Sequence, residues 1–385
     1  MEFDLSWILL GLPLAFLLGW LASRLDLRQL RFENRRVPKA YFQGLNFLLN
    51  EQQDKAIDSF IEAVQSDPDT SELHFALGNL FRRRGEYDRA VRVHEHLLSR
   101  GDLSKPDQER AQYALALDFL KAGLLDRAED ALARLEGTPF EGQARLAMLA
   151  IYERSRDWSN AYAITQKMHS AQQGDFSTRQ AHYLCEQALS LAAKGDLAAA
   201  QARLEQAASV APQAARPRIA LAQLQQQQGQ SAAAVTTLLA MNAATPAALP
   251  LAAALLVQAG QAADKNAQVM ETLQQHYQNA PSLDVLEGIV ALEASDKAQT
   301  DAGRRWYVHH LETEPSLVAA AKWLATEKLE NEQFHPLVQR ALDRASAPLT
   351  RYRCAACGFE ARQHFWQCPG CQTWDSYPAR RVEEI

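Results

Sequence analysis

The sequence predicts a mainly α-helical protein: a long array of helical hairpins, preceded by one membrane-length apolar helix and closed by a small cysteine-ligated metal ribbon. Three observations carry this prediction. Glycine, phenylalanine and alanine recur at a fixed interval of 34 residues from Gly44 onward. Nineteen residues without a charge, 5–23, stand near the amino terminus. Two Cys-x-x-Cys pairs, Cys354/Cys357 and Cys368/Cys371, stand near the carboxyl terminus. At 385 residues the chain is long enough for two or three domains. With 40 Lys+Arg against 46 Asp+Glu the net charge is −6, which argues against a nucleic-acid-binding protein. Five cysteines, four of them in the two pairs, do not make a disulfide framework.

The amino-terminal stretch Leu5–Ser23 is predicted to form a transmembrane anchor over 1–23. At 1.5 Å per residue it reaches about 30 Å, the thickness of a bilayer's hydrocarbon core. Trp7 and Trp20 stand near its two ends, where indoles favour the headgroup level, and Pro13 would kink it. A cleavable signal peptide is the rival reading, but Glu2 and Asp4 make the start acidic and no Ala-x-Ala site follows. The basic segment 24–36, with Arg24, Arg28, Arg31, Arg35 and Arg36, then places the bulk of the chain on the cytoplasmic side. The chain is therefore expected to be a single-pass protein with a very short outer terminus. Thiolates that hold a metal also suit a reducing compartment.

Residues 37–342 form the repeat region. Gly44, Phe47 and Ala56 return as Gly78, Phe81 and Ala90, then, after a four-residue insertion, as Ala116, Phe119 and Ala128. Gly85 returns as Gly123, Ala200 and Pro212 as Ala234 and Pro246, and Pro281 as Pro315. This is the period and pattern of the tetratricopeptide repeat, two antiparallel helices per unit. Small residues at the eighth and twentieth positions let the helices approach, aromatics fill the gap, and a proline ends the second helix. Val37 to Leu342 is 306 residues, nine lengths of 34, so eight or nine hairpins are expected. The stretch 181–262 is rich in Ala and Gln, which points to close helix packing.

Such arrays form an α-solenoid whose first helices line a groove. With Gly78 and Ala116 at eighth positions, the groove should present Phe75, Asn79, Arg82, Arg83, Arg110, Tyr113 and Lys121. A basic, aromatic-dotted groove suits an acidic peptide; the same residues also read as ordinary solvated side chains. The sequence holds no phosphate-binding loop, nucleophile elbow or zinc-protease helix, so no catalytic residue is assigned. His309-His310-Leu311-Glu312 reads as surface, and the lone Cys185 as core.

After a linker, 343–350, the ribbon spans 351–385. Two Cys-x-x-Cys pairs ten residues apart deliver Cys354, Cys357, Cys368 and Cys371 to one ion, iron or zinc. Gly358 and Gly370 are placed to relieve positive-φ positions in the turns. Phe359, Phe365, Trp366 and Trp374 are expected to shield the site. So small a module needs the metal to fold, and four cysteines leave no open coordination position for hydrolytic chemistry.

The knuckles, Cys-x-x-Cys-Gly-Phe and Cys-Pro-x-Cys, resemble those of rubredoxin-type ribbons, with a far shorter spacer than in the electron carriers. The whole layout resembles the lipopolysaccharide assembly protein B family, over the full chain. That resemblance implies a non-enzymatic adaptor in the inner membrane of Gram-negative bacteria, amino terminus periplasmic. It implies regulation of lipopolysaccharide synthesis: the adaptor promotes degradation of the deacetylase that commits carbon to lipid A. The degrading partner would be a membrane-bound AAA+ protease, and other lipopolysaccharide-assembly proteins are implied as further partners. The four cysteines carry over as metal ligands, and the metal module would pack back on the repeats as a clip. Two alternatives stay open: a passive scaffold for lipopolysaccharide-assembly enzymes, and an Fe(Cys)₄ electron carrier.

Overall fold

The computed structural model of the chain describes residues 15–20, 39–66, 70–294, 302–327 and 332–385. It divides into two compact units, Met1–Arg154 and Ser155–Ile385. Between residues 39 and 346 lie eighteen α-helices among the described residues, the number nine hairpins require. Odd numbers below mark first helices of the repeat register and even numbers second helices.

The first unit holds α1 (Lys39–Leu49), α2 (Gln53–Ser66), α3 (Ser71–Arg84), α4 (Tyr87–Ser99), α5 (Lys105–Ala122), α6 (Leu125–Ala133) and α7, Glu141–Ser155 but for its last residue. Its packing shows why the eighth position is small. A Cβ on Gly44 would lie 2.9 Å from the Phe60 ring, and one on Gly78 would lie 2.5 Å from the His94 ring. Ala56, Ala90, Ala116 and Ala128 are fully buried where paired helices touch. Helices α3 and α5 end alike, on Gly85 and Gly123 at φ +79°, whose backbone N–H groups return to the last turn. Ser104 accepts the Asp107 N–H at the start of α5.

In the second unit come α8 (Trp158–Ser170), α9 (Ser177–Ala193), α10 (Leu197–Val210), α11 (Ala215–Gln227), α12 (Ser231–Ala244), α13 (Leu249–Ala262) and α14 (Asn266–Asn279). They are followed by α15 (Leu283–Ala294), α16 (Ala302–Thr313), α17 (Leu317–Thr326) and α18 (His335–Ser346). Here the letters of the repeat fade but its length does not: α11, α13, α15 and α17 begin 34 residues apart. Pro212, Pro246, Pro281 and Pro315 each fall between a second helix and the next first helix. The Ala-rich stretch packs closely, with Ala200, Ala207, Ala222, Ala234, Ala252 and Ala253 fully buried.

Cys185 is wholly buried in apolar surroundings that push its thiol up to about 12, so it is core. His310 is a correction: it is 4% exposed and shares a 2.6 Å hydrogen bond with the Tyr277 hydroxyl, while only His309 faces outward. Adjacent helical residues point about 100° apart, so one histidine of the pair had to turn inward.

No helix among the described residues is long and apolar enough to cross a membrane. The segment expected to do so, 1–23, lies largely outside them; residues 15–20 are helical and exposed, with Phe16 77% and Trp20 48% accessible.

Candidate metal centre

The carboxyl-terminal ribbon is built from two knuckles with the same local geometry. In the first, the Cys354 N–H donates to the Phe359 carbonyl at 2.9 Å and the Gly358 N–H to the Cys354 carbonyl at 2.9 Å. In the second, Cys368 donates to Thr373 at 3.0 Å and Gln372 to Cys368 at 2.8 Å. Each hydrogen bond spans the same number of residues in both, so the two turns share one pattern. Strands β1 (Tyr352–Arg353) and β2 (Glu360–Ala361) pair antiparallel around the first knuckle, and a bridge joins Gln367 to Trp374 around the second.

The turns need a left-handed residue after the second cysteine of each pair. Gly358 supplies it at φ +78°, as expected, but in the second knuckle it is Gln372, at φ +60°, not Gly370. A Cβ on Gly370 would meet Phe359 and the Cys357 sulfur only at ordinary contact distances of 3.5 and 3.6 Å.

These turns bring Cys354, Cys357, Cys368 and Cys371 together, all four sulfurs within 4.8 Å of one another. Cys354 and Cys371 are 3.8 Å apart, Cys357 and Cys368 3.7 Å. A tetrahedron with metal–sulfur bonds of about 2.3 Å has edges of about 3.8 Å, so the donor set fits one tetrahedral ion. Burial is the largest influence on Cys354 and opposes its ionisation. The Ser376 hydroxyl, 3.2 Å away, and the backbone N–H groups of Cys357 and Ala356 outweigh it and bring the thiol down to about 6. The Thr373 hydroxyl and N–H likewise lower Cys371. At Cys357 the Phe359 N–H favours the thiolate, yet desolvation and the three neighbouring sulfurs push it up to about 12. Four thiols this close ionise together only when a cation neutralises them.

Cys354 and Cys368 are each 1% exposed, while Cys357 and Cys371 form the outer pair. The inner sulfurs are covered by Tyr352, Tyr377, Phe365 and, from the repeats, Leu251. Phe359 is 44% exposed, and the two tryptophans expected to shield the metal do something else. Trp374 stacks on His182 of α9 with centroids 4.6 Å apart and meets Trp158 and Tyr183 edge-on at 6.0 Å. Trp366 lies 6.1 Å from the same histidine. Both serve the seating of the ribbon on the repeats.

Residues 352–377 match the rubredoxin metal binding domain family, and residues 73–109 the tetratricopeptide repeat family. Over 392 residues, 99% of this chain and 100% of the other, the sequence is 31% identical to lipopolysaccharide assembly protein B of Escherichia coli K12. The chain belongs to the lipopolysaccharide assembly protein B family. A second member, from Haemophilus influenzae, is 27% identical over 96% of both chains. A solved tetratricopeptide repeat protein from Parabacteroides merdae is similar over 67% of this chain and 98% of its own, at 14% identity and a TM-score of 0.34.

In this member of the lipopolysaccharide assembly protein B family the ribbon is fastened to the second unit by a network the sequence did not disclose. Arg216, only 6% exposed, donates to His182 Nδ1 at 3.3 Å and to Glu186 at 2.5 Å. Because arginine can only donate, Nδ1 accepts, so Nε2 carries the proton and donates to Asp375 at 2.8 Å. Arg381 grips Asp284 of α15 bidentately at 2.6 and 2.9 Å and lies over the Tyr352 ring. The last glutamates act as helix caps in trans. Glu384 accepts the Leu283 N–H that opens α15 at 2.6 Å. Glu383 accepts the Leu317 N–H at 2.5 Å and the Ser316 hydroxyl at 2.8 Å where α17 opens. The only sequence signal for this was an acidic pair one residue before the terminus.

The proposed groove residues lie in the first unit and are not equivalent. Phe75 is a correction: at 1% exposure it is core, with the Arg110 guanidinium 4.0 Å above its ring. Arg110 also pairs with Glu72. Arg82 is turned inward, donating to the buried Asp118 at 2.8 Å and to Asn79, while Asp118 also receives His94 at 2.5 Å. Tyr113 stacks on Phe140 at 5.4 Å. Arg83 and Lys121 are exposed.

Proposed function

We propose that this protein is a non-enzymatic adaptor of the inner membrane that regulates lipopolysaccharide synthesis. In this reading it presents the lipid A-committing deacetylase to a membrane AAA+ protease. The single observation that carries the reading is the full-length match to lipopolysaccharide assembly protein B. Two features of the chain support it. Helical hairpins offer surface for partners rather than a cleft of convergent catalytic groups. The four-cysteine site uses every tetrahedral position for protein sulfur, which suits a structural ion and leaves none for a substrate.

On this reading the amino-terminal segment anchors the chain, the bulk of it lies in the cytoplasm, and the first unit receives partners. The ribbon, with zinc or iron bound, clips the second unit. A colourless loaded protein would mark zinc; a red one that bleaches on reduction would mark iron. The test is the lifetime of the deacetylase after translation is blocked. It should lengthen on depletion of the protein and shorten on its return; an unchanged lifetime overturns the adaptor reading. Cys368→Ser should abolish control while the protein stays in the membrane, and normal control in that variant would sink the clip.

A further inference from the structure

The first unit repeats an exposed cation at one register position, and among its described residues none of these cations is paired. Counting five residues on from the eighth position of each hairpin gives Leu49 from Gly44, Arg83 from Gly78, Lys121 from Ala116 and Arg154 from Leu149. Arg83, Lys121 and Arg154 are each the penultimate residue of a first helix, α3, α5 and α7, and Leu49 is the last of α1. All four are exposed, Leu49 by 83%. The cations on either side of Arg83 and one hairpin across are spent within the fold: Arg82 on Asp118, Arg84 on Asp54, Arg110 on Glu72. Among the described residues the side chains of these three make no hydrogen bond or ion pair. Beside them, one residue after each eighth position, run Leu45, Asn79, Leu117 and Ala150, an uncharged floor.

We infer that this row is the docking edge for an extended acidic segment of a partner protein. The inference deepens the adaptor reading by naming the chemistry of the segment received. First helices that pack directly, as α3 and α5 do, lie roughly 10 Å apart. An extended chain advances about 3.3 Å per residue, so carboxylates at every third position meet Arg83, Lys121 and Arg154 in turn. An apolar residue at one end of the segment would cover Leu49. A carboxyl-terminal helix dipole is also served by a cation, but that calls for positive charge anywhere in the last turn, not at one register position of three hairpins. Glu153 adjoins Arg154, so Arg83 and Lys121 carry the larger share.

The test uses the full chain in detergent and a fluorescein-labelled twelve-residue peptide with Glu at every third position and Leu at one end. Its counterpart has Gln for each Glu. Wild-type protein should bind the Glu peptide at least about tenfold tighter than the Gln peptide, with the difference fading at high salt. The variant R83Q/K121Q/R154Q should lose that preference while keeping its circular dichroism and melting temperature. The reversed variant R83E/K121E/R154E should instead prefer a peptide with Lys in place of Glu, which a merely structural role would not produce. Equal binding of the two peptides by wild type overturns the inference. So does a triple variant that loses binding to anionic phospholipid vesicles but keeps the peptide, since the row would then face a membrane. Deacetylase lifetime is read separately, so failure of the row and failure of the adaptor reading are distinguishable.

Discussion

The two units share one repeat but satisfy their polar groups in opposite ways. In the first, the helices serve one another: Asp118 on α5 is fully buried and receives Arg82 from α3 and His94 from α4. In the second, equivalent first helices are completed by chain that does not belong to the repeats. His182 on α9 meets Asp375, Asp284 on α15 meets Arg381, and α17 is capped by Glu383. Among the described residues the first unit thus pairs its buried Asp118 within its own helices, whereas the second is finished by a module too small to fold without its ion. The stability of the second unit should therefore depend on the metal, and that of the first should not.

The largest expected effect is Cys368→Ser. It removes one inner ligand, releases the ion and leaves Asp284, His182 Nε2 and the Leu283 and Leu317 N–H groups without their ribbon partners. A loss of about 3–5 kcal/mol follows from stripping partners from buried charges, or roughly 10 °C in the melting of the second unit. Calorimetry should show that transition move alone. Next comes Asp118→Ala, which strands Arg82 and His94 inside the first unit. It should cost about 3–5 kcal/mol there and leave metal content unchanged by elemental analysis.

Acid should separate the units in the same direction as metal loss. His182, His276, His310 and His364 all lie in the second unit, and burial is the first cause that lowers each of their pKa values. They are neutral when folded but take up protons near pH 6.5 when unfolded. Their contribution is therefore complete above about pH 7 and is lost as pH falls through 6.5 toward the lowered folded values. In the first unit His74 is lowered in the same way, so its acid sensitivity should be smaller. Urea melts between pH 5 and 8, followed by hydrogen exchange in each unit, would measure the difference; equal slopes would contradict it. The smallest effect is Gln372→Gly. Removing a side chain from the left-handed turn at φ +60° should stabilise the loaded ribbon by about 1 kcal/mol, read as slower metal transfer to a chelator.

Legibility followed the same division. Local rules were readable: small residues where helices cross, glycine after α3 and α5, and four cysteines at knuckle spacing. Each depends on residues close in sequence. The second half of the array kept its length but not its letters, because many combinations of Ala and Leu fill a helical interface. What escaped was long-range. Nothing local marks Trp374 as a partner for His182 or Glu383 as a cap for α17, since these contacts join residues far apart in the chain. Phe75 was misplaced because a repeat register fixes which face a residue shares, not how deep a bulky ring sinks. Arg110 over its face makes the point: the exposed feature there is the cation, not the aromatic.

Hydrogen exchange across the whole chain, before and after chelation of the metal, tests the central claim most directly. The account predicts faster exchange in the ribbon and at the amino-terminal ends of α9, α11, α15 and α17, with 39–154 unchanged. Exchange that rises only within 351–385, leaving those helices as protected as before, would show that the ribbon decorates the repeats without holding them.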